Sequence, residues 1–223
     1  MVTFDKGFLI HIRKYKETSS IVSILSAKRG LYSLLFKGKE TDKNKYNFSI
    51  FNEYQFSFNE RYELPIMAKY ELIKRFDFST KYYLLGLYIN ELIYKTLKYN
   101  DDYIKIYNEY KDFLIQIKTS SFSSERLALI FEKKLLEYLG YGLFPESSTL
   151  LLDDAFYFYD SDVGFRKSEE KTSSVYNIPG KTLKLFLENI IIDNHHITSM
   201  RLITKNIFLK HYPDIQINGD NLF

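Results

Sequence analysis

Three β-type runs crowded into residues 8–36 constrain the fold of this chain more than any other feature. Phe8, Ile10 and Ile12 alternate with Leu9, His11 and Arg13. Ile21 to Leu25 follows a polar bend at Lys16 to Ser19, and Leu31 to Phe36 follows the link Ala27-Lys28-Arg29-Gly30. Runs rich in β-branched and aromatic residues, bounded by turn residues, predict strands. The short Gly-containing link predicts a hairpin of the second and third runs, with Lys28 and Arg29 at its tip.

Further along, Ser49 to Phe58 alternates as a fourth strand and Ile66 to Phe76 reads as a fifth. A helix competes for the fifth run, which also has helical spacing. Five strands ahead of residue 78 suit a closed barrel of the oligonucleotide-binding (OB) type. From Thr80 the period changes, and Tyr82 to Leu97, apolar nearly all round, predicts a buried helix. Tyr103 to Ile117 and Glu125 to Leu139 are also helical in pattern, the latter preceded by capping candidates Ser123 and Ser124 and closed by Gly140. Leu143 to Val175 interrupts this pattern with two short strand-like runs, Leu150 to Leu152 and Ala155 to Tyr159, followed by a polar stretch from Asp160. Pro179-Gly180 then leads into a helix over Leu183 to Ile192, and Thr198 or Ser199 caps a last helix reaching about Tyr212. The predicted class is therefore α+β: a five-stranded OB barrel over 1–78, then an all-α domain over 79–223 with a small β-type insertion at about 143–175.

Charge is segregated along the chain. Residues 1–45 carry ten Lys or Arg against four acids, while residues 81–223 come out at −2 and the whole chain at +3. A positive end on a near-neutral body is the footprint of a polyanion-binding module. Arg13, Lys14, Lys16, Lys28, Arg29, Lys37 and Lys39, with Lys43 and Lys45 of the following loop, form the expected nucleic-acid face, and Tyr15, Tyr32 and Tyr46 are candidate base-stacking rings. Against this stands a plainer reading in which lysines fill the solvated faces of strands.

Chemistry is bounded mainly by exclusion. With no cysteine there is no disulfide, thiolate metal site or Cys nucleophile. Gly180-Lys181-Thr182 resembles the end of a P-loop, but Val175 stands where the first glycine belongs, so it reads as a helix start. His195-His196 are adjacent rather than four apart and predict a surface turn, and the Asp pairs at 153–154 and 160–162 lack EF-hand spacing. No catalytic constellation, cofactor site or metal site is expected. The first residues contain no uninterrupted apolar stretch of the signal-peptide kind, and no run approaches the ~18 residues of a membrane span. The expected setting is cytoplasmic and nucleoid-associated.

Several motifs resemble the bacterial recombination mediator family RecO. They are Gly7-Phe8-Leu9-Ile10-His11, Glu17-Thr18-Ser19, Arg29 to Gly38, Gly86 to Leu92, Phe131-Glu132 with Leu135 to Gly142, and Leu209-Lys210-His211-Tyr212. The resemblance implies a non-enzymatic DNA repair protein that binds single- and double-stranded DNA and anneals complementary strands. It also implies loading of RecA together with RecR and the single-strand-binding protein. The acidic, Phe-ended tail of that last protein would dock in the helical domain, with a basic flank of Arg126, Lys133, Lys134, Arg201 and Lys205. Three departures stand out: the four-cysteine zinc site of many members is missing, Leu129-Ile130 replaces a basic pair, and the basic tail gives way to Asn218 to Asn221. A helical protein-interaction scaffold, or an RNA-binding OB protein, is the alternative.

Overall fold

The computed structural model describes residues 2–37, 48–97, 104–141, 143, 150–160, 162–169, 177–188 and 194–213. Strands β1 (Val2–Lys16), β2 (Ser19–Ser26), β3 (Gly30–Lys37), β4 (Glu53–Asn59) and β5 (Ile66–Lys74) close a barrel in the order β1-β2-β3-β5-β4. The expected OB-type barrel is present, and the ambiguous fifth run is a strand, paired along β4 from Glu53–Lys74 to Asn59–Ile66. β3 and β5 meet in parallel at Leu35 and Ile66, where the Leu35 N–H donates to the Pro65 carbonyl at 2.8 Å. β1 begins well before its predicted start because it serves two neighbours. Val2 to Phe8 pairs with β4, Gly7 to Lys16 pairs with β2, and an irregularity between Leu9 and His11 bends the strand.

Alternation fills the barrel. Leu9, Val22, Ile24, Tyr32, Leu34, Tyr54, Phe56, Phe58 and Met67 project into one core, as period-two side chains on a closed sheet must. Tyr32 is therefore a core ring, 4% exposed, and not a base-stacking one. Between β2 and β3 the turn closes through Gly30 at φ +70°. The Ser26 hydroxyl donates to the buried Asp5 carboxylate and accepts the Lys28 and Arg29 N–H groups at 2.9 and 3.0 Å.

Helices α1 (Thr80–Thr96) and α2 (Ile104–Thr119) lie in the same compact unit as the barrel, which runs to Ser120. The change of period near residue 79 marks where strands give way to helices; the compact units divide later. Phe8, on the outer side of β1, explains the packing: its ring lies 5.1 Å from those of Tyr107 and Tyr110 and 6.2 Å from Phe76. Asn90 of α1 donates to the Ile10 carbonyl at 2.8 Å and accepts from the Tyr110 hydroxyl at 2.5 Å. The buried Glu53 carboxylate accepts from the Tyr107 hydroxyl and from the Lys111 ammonium at 3.1 Å. Burial and that carboxylate push the Tyr107 hydroxyl pKa up.

The second unit, Ser121–Gln216, holds α3 (Ser124–Tyr138), a sheet of β6 (Phe156–Asp160), β7 (Gly164–Lys167) and β8 (Ile178–Pro179) in the order β7-β6-β8, then α4 (Gly180–Leu187) and α5 (Asn194–His211). The Ser123 side chain caps α3 by accepting the Arg126 N–H at 3.3 Å. Three expectations change here. Leu150 to Leu152 is not a strand, and Leu150 is 81% exposed. The second run is a strand as expected, β6, with Tyr157 buried, as are Phe165 of β7 and Ile178 of β8, but β7 lies inside the stretch expected to be polar and irregular. Finally, α5 starts at Asn194, so Thr198 and Ser199 are interior and His195-His196 sit in its first turn, not in a surface turn. The buried stripe of Ile197, Met200, Ile203, Thr204, Ile207 and Phe208 reaches back past those hydroxyls, and packing outweighs capping preference.

Gly180 opens α4 where the chain passes closest to itself. Its N–H donates to the Ala155 carbonyl at 2.7 Å, and a Cβ there would lie 1.9 Å from the Leu152 carbonyl oxygen. The Gly-Lys-Thr triplet is thus a packing device at a helix start. Gly180→Ala should destabilise the fold by about 1–3 kcal/mol, read by chemical denaturation; an unchanged midpoint would contradict this close approach.

Candidate nucleic-acid interface

Strand register sorts the basic residues. On β2, Ser19 is paired with Lys16 on one side and Lys37 on the other, and Ile21 with Arg13 and Leu35. Directly opposed residues share a face, and Val22 and Ile24 point inward. Arg13, Lys16 and Lys37 therefore lie together on the outer face at one end of the β1-β2-β3 sheet, and all three are exposed. Lys14, opposite Ser20 and Phe36, sits at the rim of the same end, facing the other side.

Lys28 and Arg29 are not part of this group. They occupy the opposite end of the hairpin, beyond Ser26 and Gly30. Seven residue steps at about 3.3 Å separate Ser19 from Ser26, roughly 23 Å along the strand. Arg29 is also engaged there: its guanidinium lies 2.5 Å from the Glu60 carboxylate and over the Phe58 ring at 5.5 Å. Lys39, Lys43, Lys45 and Tyr46 lie outside the described residues.

Of the candidate rings, Tyr15 is half exposed, with the Lys16 ammonium 5.5 Å from its centroid. Nearby, the His11 ring stacks on Tyr94 of α1 at 4.4 Å with the planes 24° apart. Partial burial, reinforced by Arg13, holds the His11 pKa below its usual 6.5. Above that pH the ring is neutral, so the end's positive charge comes from the lysines and Arg13.

In the second unit the five cations assigned to a docking flank divide. Arg201 is 7% exposed and donates through Nε and Nη2 to the fully buried Glu132 carboxylate at 3.3 and 3.1 Å. Lys133, 3% exposed, donates to the Phe186 and Leu187 carbonyls at 2.8 and 2.9 Å, closing the end of α4; burial lowers its pKa. These two hold the unit together, because a cation at a helix C-terminus satisfies carbonyls that have no partner within the helix. Arg126, with its guanidinium 4.2 Å from the Phe122 ring, Lys134 and Lys205 are partly exposed. Sequence reading missed the opening between β1 and α1, whose wall includes Tyr83 and Tyr94; the chain's general richness in tyrosine masked those rings.

Among the described residues no group of three or more potential ligands could hold a metal ion, and no helix is long and apolar enough to cross a membrane.

Comparison with known proteins gives a consistent result. The family model described as recombination protein O, N terminal, matches residues 1–76, and its C-terminal counterpart matches residues 78–188. A protein named DNA repair protein RecO from Hamiltonella defensa is 27% identical over 99% of this chain and 96% of its own length. RecO proteins so named from Coxiella burnetii (27% identical; 92% of this chain, 90% of theirs) and Sodalis glossinidius (28%; 94% and 82%) are similar along nearly the whole sequence. A solved asparaginyl-tRNA synthetase from Entamoeba histolytica covers 97% of this chain and 59% of its own at 11% identity, but a TM-score of 0.32 carries no argument.

Proposed function

Given that the chain belongs to the recombination protein O (RecO) family of DNA repair proteins, we propose that it acts as a recombination mediator. It binds single- and double-stranded DNA, anneals complementary strands and, with RecR, helps load RecA onto strands coated with single-strand-binding protein. The observation that carries this reading is the clustering of Arg13, Lys16 and Lys37 on one outer end of an OB-type barrel, with Lys14 at its rim. Such an end attracts the phosphate backbone irrespective of sequence, which suits a protein that must pair any two complementary strands. Lys28 and Arg29 form a second, separate basic point, weakened by Glu60. Lys39, Lys43 and Lys45, which follow Lys37 in sequence, are included in the proposal on their charge alone.

Docking of the single-strand-binding protein's acidic tail falls to the second unit, with Arg126, Lys134 and Lys205 as its partly exposed cations. No step of this function requires a catalytic residue or a cofactor. Annealing of complementary strands coated with single-strand-binding protein tests the reading: the chain should accelerate it without ATP, and no acceleration would contradict it.

Metal independence is a separate expectation. The insertion is closed by Tyr157, Phe165 and Ile178 in place of a thiolate-bound zinc. Elemental analysis should find no stoichiometric zinc, and chelation should leave the melting curve unchanged. One zinc per chain, with unfolding on chelation, would contradict it.

A further inference from the structure

We propose that the groove between β1 and α1 receives one unstacked base of a bound single strand, an assignment that rests on the DNA-binding reading above. The groove encloses about 770 Å³ and is lined by Ile10 to Ile12 of β1, by Phe48 to Ile50, and by Tyr83, Leu87, Glu91 and Tyr94 along one side of α1. That volume lies within the range of small-ligand sites, which are mostly apolar with few polar groups. Its wall stays open: Ile12, Tyr83 and Tyr94 are 40%, 42% and 38% exposed, and clustered apolar exposure of this kind marks a binding surface.

Three features select a base as the occupant. The wall already presents flat rings face to face, in the His11–Tyr94 stack at 4.4 Å, and a base would extend that stack. Hydrogen-bonding groups are present, since Glu91 and Lys95, paired at 2.5 Å, both line the groove. Charge decides the matter: Ile12 in the wall is followed directly by Arg13 and Lys14 of the basic barrel end. A strand held there by its phosphates passes the mouth of the groove, whereas a neutral apolar peptide would gain nothing from those cations. Asn90 takes no part in reading the base; its amide donates to the Ile10 carbonyl, which fixes the two walls to one another, and its oxygen is occupied by the Tyr110 hydroxyl of α2.

The test compares two fluorescent oligonucleotides of equal length, oligothymidylate and its abasic counterpart, bound to the full chain across a salt series. Backbone contacts are common to both, so any preference for the first measures base contacts. Wild-type protein should prefer oligothymidylate by roughly tenfold, within the span expected for one stacked base. Tyr94→Ala should bring the ratio near one with the salt slope unchanged, and Tyr94→Phe should retain the preference. Equal wild-type affinity for both strands, or a Tyr94→Ala ratio equal to wild type, overturns the proposal and assigns the groove to another occupant such as an apolar side chain of a protein. Failure to bind either strand at low salt is a different result and overturns the DNA-binding reading itself.

Discussion

Arg201→Met should be the most destabilising single substitution in the second unit, costing roughly 3–5 kcal/mol and lowering the melting temperature on the order of 10–20 °C. Glu132 is fully buried and accepts from Arg201 at 3.1 and 3.3 Å and from the Thr204 hydroxyl at 2.5 Å. Removing the guanidinium takes away the cation 3.1 Å from a carboxylate that is fully buried between α3 and α5. The double variant Glu132→Met/Arg201→Met should recover much of the stability, because removing both charges removes the desolvation cost that one alone retains. A melting temperature for Arg201→Met within about 2 °C of wild type would show that the pair does not hold these helices together. The distinction bears on function: if Arg201→Met is destabilised as expected, a weaker response of that variant to the single-strand-binding protein's tail reports unfolding and not a change at the docking surface.

On the barrel, Arg13→Glu/Lys16→Glu/Lys37→Glu should weaken single-strand binding roughly tenfold or more. The magnitude of the salt slope should fall by about 2 to 3, at roughly 0.7–0.9 for each phosphate that is no longer neutralised. Folding should be intact, as all three side chains are exposed and none belongs to the barrel core. Lys28→Glu/Arg29→Glu is the matched comparison. These residues sit roughly 23 Å away along the hairpin, and Arg29 is already paired with Glu60, so this variant should change the slope far less. Equal weakening by the two variants would mean that DNA spans the whole length of the hairpin.

That contrast shows how much was legible in the sequence. The strands were, because Tyr54, Phe56 and Phe58 or Val22 and Ile24 alternate regularly enough to declare one buried face. So was the start of α3, because the Ser123 cap is local chemistry. A count of positive residues along the chain, however, cannot tell the two ends of a hairpin apart. Lys28 is nearer in sequence to Lys37 than Lys16 is, yet antiparallel pairing puts Lys16 beside it and Lys28 at the far end. Arg201 and Lys133 were misplaced for a related reason: their partners, Glu132 and the end of α4, are 69 and 53 residues distant. β7 was missed because its one inward residue, Phe165, is too little to set a period. The groove beside Tyr94 has no linear signal, since one wall comes from a strand and the other from a helix beyond the whole barrel.

Photo-crosslinking of a single strand to the full chain, followed by peptide mapping, tests most directly the claim that the barrel carries the DNA. The account predicts crosslinks concentrated in the stretch from Arg13 to Ser20 and around Phe36 and Lys37, abolished in the Arg13/Lys16/Lys37 variant and suppressed by salt. Crosslinks confined to residues 121–216, and unaffected by that variant, would contradict it.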